Sequence, residues 1–515
     1  MVGLDREFLD RGDVRRAVGE ELRWHGRLLP RREDFELLTT QVDAVTDWLI
    51  PQLRAGVFGR RASVVFADKE WRGTRPLHTL TLEDSVLYRV LVHRLSRRLP
   101  ERLRERVSIE EFRRAPLEVS GARYICVTDV NAYYEFVDHD LLATELVSQT
   151  GDEMAVTALR GLLATVLGRQ VGIPQVHSAS DILGDVYIDP ARRRLLRRGH
   201  ATFTYSDDFK IAVPTLQTAR DALEACEFEV RSLGLVLNET KTLTYGRDSY
   251  DASLTAFTEA RQRLLDPDGE GETDIDLGLL ERGYETEEAD TEEAETDSDT
   301  SSEEAASGDE GQRRLEAGRR AFELWTDNVG DSDLEAQDGA VLRSLLGRAL
   351  PILGAAGDTA PAKWIETIIR KEPALTPQAA QYLTSLGQIG PEHQRVVRAT
   401  LGPIVSKNIL GTWQSLWFAH VAAHSGAEET SQPYEQWLHH SVTTGAPAVA
   451  ATAAAALGRI GRGDPEVVTA AIARVGPEWR RLAFVGLIGL DQAKAHATAD
   501  DALDRLLLTA AADEQ

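Results

Sequence analysis

Apolar positions recur at helical spacing through the first 55 residues, with "AVTDWLI" as one apolar stripe. "ASVVFADKEWRGTRPLHTL" then mixes a short strand with turn residues. "TLEDSVLYRVLVHRLSRRL", 81–99, reads as a helix that Thr81 or Leu82 starts. Acids lie in its first turn and Arg94, Arg97 and Arg98 near its end, as the helix dipole favours. "RYICVTDV", 123–130, is a β-branched strand that ends in an aspartate.

Two helical patterns follow, "HDLLATELVSQTG" and "MAVTALRGLLATVLG". After a Gly-Ile-Pro-Gln turn at 172–175, "SASDILGDVYIDPARRRLLR" predicts a long helix that Pro190 interrupts. Short strands, "TYS" and "FKIAV", flank Asp207 and Asp208. "LQTARDALEACEFEVRSLG" is a helix closed by Gly234, and "LVLNETKTLTYG" returns to the strand pattern. Strands alternating with crossover helices predict an α/β architecture up to about 250. From about 312 to 512 the pattern is wholly helical, Ala- and Leu-rich, and broken by Gly or Pro every 15–25 residues. Helix pairs of that length predict a repeat-like array, without a crisp period.

Charge changes the picture in one place. The net charge is −25, but residues 266–310 hold 20 Asp or Glu and one Arg, which leaves only −6 elsewhere. That segment is expected to be a disordered linker or an acidic insertion. Residues 1–120 carry 23 Arg or Lys against 20 Asp or Glu, so overall acidity does not exclude a nucleic-acid partner. Two cysteines, Cys126 and Cys226, exclude a disulfide framework and a cysteine-based zinc cluster. No apolar run is long enough to span a membrane, and the chain reads as cytoplasmic.

The chemistry centres on "ATFTYSDDFKIAV", 201–213. Ser-Asp-Asp alone suits a β-turn. Tyr205 and Phe209 favour strand, which puts Asp207 and Asp208 at a hairpin tip. Asp129 ends another apolar strand, and if the two ends meet, three carboxylates converge. Such a cluster is costly without cations and suits Mg²⁺.

With "DVNAYY" at 129–134, "GIPQVHSASDILGDVYI" at 172–188, "YSDD" at 205–208 and "GLVLNETKT" at 234–242, the chain resembles the palm of a reverse transcriptase over roughly 60–250. The resemblance implies Asp129 and Asp207 as principal ligands of Mg²⁺ (or Mn²⁺), Asp208 as a third carboxylate, and Lys241 behind them. It implies Tyr134 as a steric gate under the sugar of a dNTP, and Gln175 against the template or incoming base pair. Lys69 and Arg75, with Arg72 competing for either role, would hold the triphosphate from a fingers segment. Family members usually read Pro-Gln-Gly, whereas this chain has Pro174-Gln175-Val176. Ser180 is expected to cap or orient the following helix, Asn238 to order its turn, His177 to serve a turn. The "RRRLLRR" run at 192–198 either tracks a nucleic-acid backbone or solvates a helix.

The expected organisation is therefore N-terminal helices and fingers (1–120), a palm (121–255), the acidic segment (266–310) and a helical, HEAT-like region (312–515). A palm followed by a long helical region looks like the abortive-infection and defence-associated bacterial reverse transcriptases. That implies DNA synthesis from a nucleic-acid or protein hydroxyl, with RNA or single-stranded DNA as template or product. It also implies a role against phage and, as in some members, a homo-oligomer. The alternatives are a retron-type enzyme working with a structured RNA, and a catalytically silent RNA-binding scaffold.

Overall fold

The computed structural model describes residues 9–24, 26, 28–69, 73–255, 304–330, 336–426 and 433–513. Among the described residues the chain is mostly helical, with the strands confined to the N-terminal half. Helices α1 (Arg11–Arg23), α2 (Glu33–Leu38) and α3 (Val42–Arg54) lead into a hairpin of β1 (Ser63–Asp68) and β2 (Thr74–Thr79). The hairpin is antiparallel, with Phe66 opposite Pro76 and Ala67 opposite Arg75. Helix α4 (Leu82–Ser96) begins where the sequence places it: the Thr81 hydroxyl accepts the Asp84 amide, and Glu83 and Asp84 face the helix N-terminus. Two short helices, α5 (Glu101–Arg104) and α6 (Ile109–Arg114), follow.

The second sheet comprises β3 (Tyr124–Asp129), β4 (Ala201–Tyr205), β5 (Asp208–Val213) and β6 (Leu243–Gly246), in the order β4-β5-β3-β6. Every pair is antiparallel. This corrects the α/β expectation. Three helices, α7 (His139–Thr150), α8 (Glu153–Leu167) and α9 (Ser178–Arg197), stand between β3 and β4, and β5 returns antiparallel beside β3. Alternation along a sequence does not fix strand direction; the residue pairing does. Cys126, Thr128, Phe209 and Ile211 share the buried face, where the Cys126 thiol donates to Ala219 O of α10 (Leu216–Ser232). Phe112 and Tyr250 cover part of the opposite face, each within cation–π range of Lys210.

Helix α9 also runs through Pro190 without stopping. The proline removes one donor, but Asp189 beside it is buried and bound by Arg102, Arg192 and Arg193, so side-chain contacts hold the helix together there.

From Glu304 onward the described chain is helical. Residues 266–303 of the acidic segment lie outside the described residues; 304–310 open a helix that continues to Asn328. Acids suit a helix N-terminus, and Ala317, Ala321 and Trp325 bury its later turns. Helices starting at residues 336, 376, 412, 447 and 477 stack one on the next. Those at 391, 433 and 465 form a second row. The spacing in the first row shrinks from 40 to 30 residues, which is why no crisp period is legible. The array then returns to the N-terminal half: Trp479 Nε1 donates to Ser63 Oγ (3.0 Å) and Trp413 Nε1 to Leu28 O (2.6 Å).

Candidate active site

The strand ends that carry the aspartates do meet. In the β3–β5 register Asp129 lies directly opposite Asp208, so both side chains leave the same face. Asp207 sits in the turn before β5, its carbonyl accepting the Val130 amide at 3.0 Å. The Asp129 carboxyl lies within hydrogen-bonding reach of the Asp207 carboxyl. Burial, then repulsion from Asp129 and Asp208, pushes the Asp207 pKa up to about 7. Burial and Asp129 raise Asp208 as well.

Counter-charges come from two directions. Lys241 Nζ stands 3.0 Å from Asp129 Oδ2, and Asn238 Nδ2 donates to that same oxygen at 3.2 Å. Asn238 also orders its own turn, accepting the Thr240 amide and hydroxyl. Lys210, absent from the sequence reading, is a further member. It is only 7 % exposed and shares the face of Asp208, two residues away. Burial lowers its pKa to about 8, against the pull of Asp208. The two-residue period of a strand was the available signal for it.

Tyr134 reaches the same place. Ala132, at a left-handed φ of 50°, opens a short 3-10 turn over Tyr133–Glu135. The Tyr134 hydroxyl donates to Asp181 Oδ1 (2.7 Å) and pairs with Ser206 Oγ (2.9 Å), inside the YSDD turn. Tyr133 instead fills the core and donates to Gly184 O.

Other expected positions fall elsewhere. Lys69 lies near the β1–β2 turn, its amide bonded to Gly73 O, and Arg75 is exposed on β2; no contact among the described residues joins either to the carboxylates. Arg72 lies outside the described residues. Gln175 is half-buried ahead of α9, and the next residue, Val176, holds a left-handed φ of 57°. A β-branched residue there is strained where a glycine is not. His177 does more than serve a turn. It is buried, its Nδ1 accepts the Ala179 amide as the α9 N-cap, and its Nε2 meets Ser85 Oγ at 3.0 Å. Ser180 anchors to the Tyr88 hydroxyl (2.9 Å). Four of the 192–198 arginines pair within the protein: Arg192 and Arg193 with Asp189, Arg194 and Arg198 with Glu229.

The donors suit a hard divalent cation, being carboxylate oxygens whose mutual repulsion works against the charged form of Asp207. They are not closed into a ligand cage: among the described residues no group of three or more His, Cys, Asp or Glu is arranged to hold a metal, and Lys241 occupies Asp129 Oδ2. Among the described residues, no helix is long and apolar enough to cross a membrane. No family model matches the chain, and no curated protein matches it.

Proposed function

We propose that this chain is a nucleotidyltransferase of the reverse-transcriptase type that adds dNTPs to a 3′-hydroxyl or a protein hydroxyl. The observation that carries the reading is the meeting of Asp129, Asp207 and Asp208 at two facing strand ends beside Tyr134. Asp129, Asp207 and Asp208 would hold Mg²⁺ or Mn²⁺, which when bound supplies activation of the attacking hydroxyl and stabilisation of the departing pyrophosphate. Lys241 fixes Asp129 Oδ2 and places its side-chain nitrogen on that side of the centre. Tyr134, pinned by Asp181 and Ser206, presents a ring that cannot swing aside; such a ring would clash with a ribose 2′-hydroxyl. Lys69, Arg75 and Arg72 would bind triphosphate oxygens, and Gln175 the templating pair. The setting we propose is antiphage defence, supported by the resemblance of a palm joined to a long helical region. On that resemblance, RNA or single-stranded DNA is template or product, and self-assembly is open to sizing.

The test is incubation with labelled dNTPs and Mg²⁺, with and without RNA, followed by sequencing of the product. DNA synthesis is expected, falling at least about a thousandfold in the Asp207→Ala/Asp208→Ala double variant. Product unchanged in that variant rejects the reading. RNA binding by a wild-type chain that makes no product favours the silent scaffold.

A further inference from the structure

Three acids, Asp181, Asp185 and Asp189, recur every fourth residue along α9 and share one face of it. Alone they would repel one another. Two arginines from the segment after α4 meet them. Arg102 Nη1 donates to Asp189 Oδ1 (2.8 Å), and its Nη2 to Thr204 Oγ1 (3.0 Å) on β4. Arg106 Nε stands 3.0 Å from Asp185 Oδ2, and its Nη1 3.9 Å from Asp181 Oδ2.

Arg106 also reaches the YSDD turn twice. Its guanidinium lies over the Tyr205 ring, 4.3 Å from the centroid. Through Asp185 it reaches the next residue: Asp185 Oδ1 accepts the Ser206 amide at 3.1 Å. Ser206 has a left-handed φ of 54°, a conformation that serine rarely keeps without outside bonds. The residue after it is Asp207. The Ser206 hydroxyl is bound as well, to Tyr134, whose other partner is Asp181. Burial works against the charged form of Asp185, and Arg106 is the leading group that opposes this.

We propose that Arg106 is a positioning residue: acting through Asp185 and by stacking on Tyr205, it holds the 205–208 turn in the left-handed conformation that presents the Asp207 carboxyl to Asp129. Asp185 serves as an acceptor whose charge makes the guanidinium necessary. The inference rests on the polymerase reading for its kinetic consequence, but its structural content does not.

The experiment compares wild type, Arg106→Ala, Arg106→Lys, Asp185→Asn and the Arg106→Ala/Asp185→Asn double variant. Steady-state dNTP incorporation, amide exchange at Ser206 and thermal unfolding are measured for each. Arg106→Ala is expected to lower kcat about a hundredfold with the dNTP KM nearly unchanged, because misplacement of a reacting group acts on the chemical step. Ser206 exchange should quicken while Phe209 exchange does not. A neutral amide at 185 accepts the Ser206 N–H without needing a counter-ion, so the double variant should regain about tenfold in kcat over Arg106→Ala. Arg106→Lys keeps the charge without the planar fork and should fall between the two; it carries the comparison if Arg106→Ala does not fold. Wild-type kcat and Ser206 exchange in Arg106→Ala would overturn the inference, as would an equal loss with no recovery in the double variant. If wild type makes no DNA but Ser206 exchange still follows Arg106 and is restored in the double variant, the positioning role stands and the polymerase reading falls.

Discussion

Two aspartates, fully buried Asp504 and half-buried Asp207, show how the helical array and the sheet-bearing half differ. Asp504, in the helical array, has no solvent exposure; both its oxygens are bound by Arg480 (2.8 Å each) and one also accepts the Asp500 amide. These partners hold its pKa below the usual carboxylate range despite burial. Asp207, in the sheet-bearing half, has Asp129 and Asp208 for neighbours, and its pKa is pushed up to about 7. At Asp504 the array buries an acid together with its counter-ion. At the strand ends, like charges are gathered instead, a cost that a purely structural sheet has no reason to keep.

The sharpest break of that contrast comes from Asp504→Asn. It leaves Arg480 facing a neutral group and should cost about 3 kcal/mol or more at pH 7 in urea unfolding. A loss below about 1 kcal/mol would mean that the array does not depend on its ion pair. Next in size is Gly486→Leu. A Cβ at Gly486 would collide with the Ala454 carbonyl of the neighbouring helix, and Gly458 makes the reciprocal approach. Forcing these helices apart should cost about 1–3 kcal/mol, with little effect on the proposed dNTP incorporation if the array is scaffold to the site.

A smaller effect is expected from pH. Burial lowers the His177 pKa to about 3, Arg89 adding to the shift against the pull of Glu21. Unfolded, the imidazole titrates near its ordinary 6.5. The unfolded chain therefore binds more protons between those values, and stability falls as pH drops below about 6.5. The slope from this one group is about 1.4 kcal/mol per pH unit. His177→Asn, which can still cap α9, should flatten the acid limb by that amount; an unchanged limb would assign the loss to other groups. Smallest is Val176→Gly. Release of left-handed strain, set against greater freedom of the unfolded chain, should raise stability by about 1 kcal/mol or less. A decrease would show that the Val176 side chain, which packs at Gly26, matters more than its backbone.

Much of this site was legible in the sequence because its parts are local. A β-branched run ending at Asp129, a hairpin with Asp207 and Asp208 at its tip, and Asn238 in a turn each follow from residues a few positions apart. What was not legible depends on segments meeting across the fold. Arg106 and Asp185 are 79 positions apart, and nothing in either neighbourhood marks the pairing. The same holds for strand direction in the sheet and for the arginines of 192–198, whose partners Glu145 and Glu229 lie on other helices. Pro190 misled because helix propensity is a local preference that tertiary contacts around Asp189 override. Val176 was half legible: the missing glycine was visible, but that the backbone keeps the glycine conformation was not.

Thermal unfolding of wild type and Asp207→Asn at pH 8, with and without Mg²⁺, tests whether the three carboxylates are held together at a cost to stability that cations relieve. At that pH Asp207 is ionised in both states, so the folded protein bears the full repulsion; below about pH 4 both states are protonated and the difference vanishes. Asp207→Asn is expected to melt at least about 2 °C above wild type without Mg²⁺, and Mg²⁺ to raise the wild-type midpoint but not that of the variant. A lower midpoint for Asp207→Asn, together with a wild-type midpoint indifferent to Mg²⁺, would contradict it.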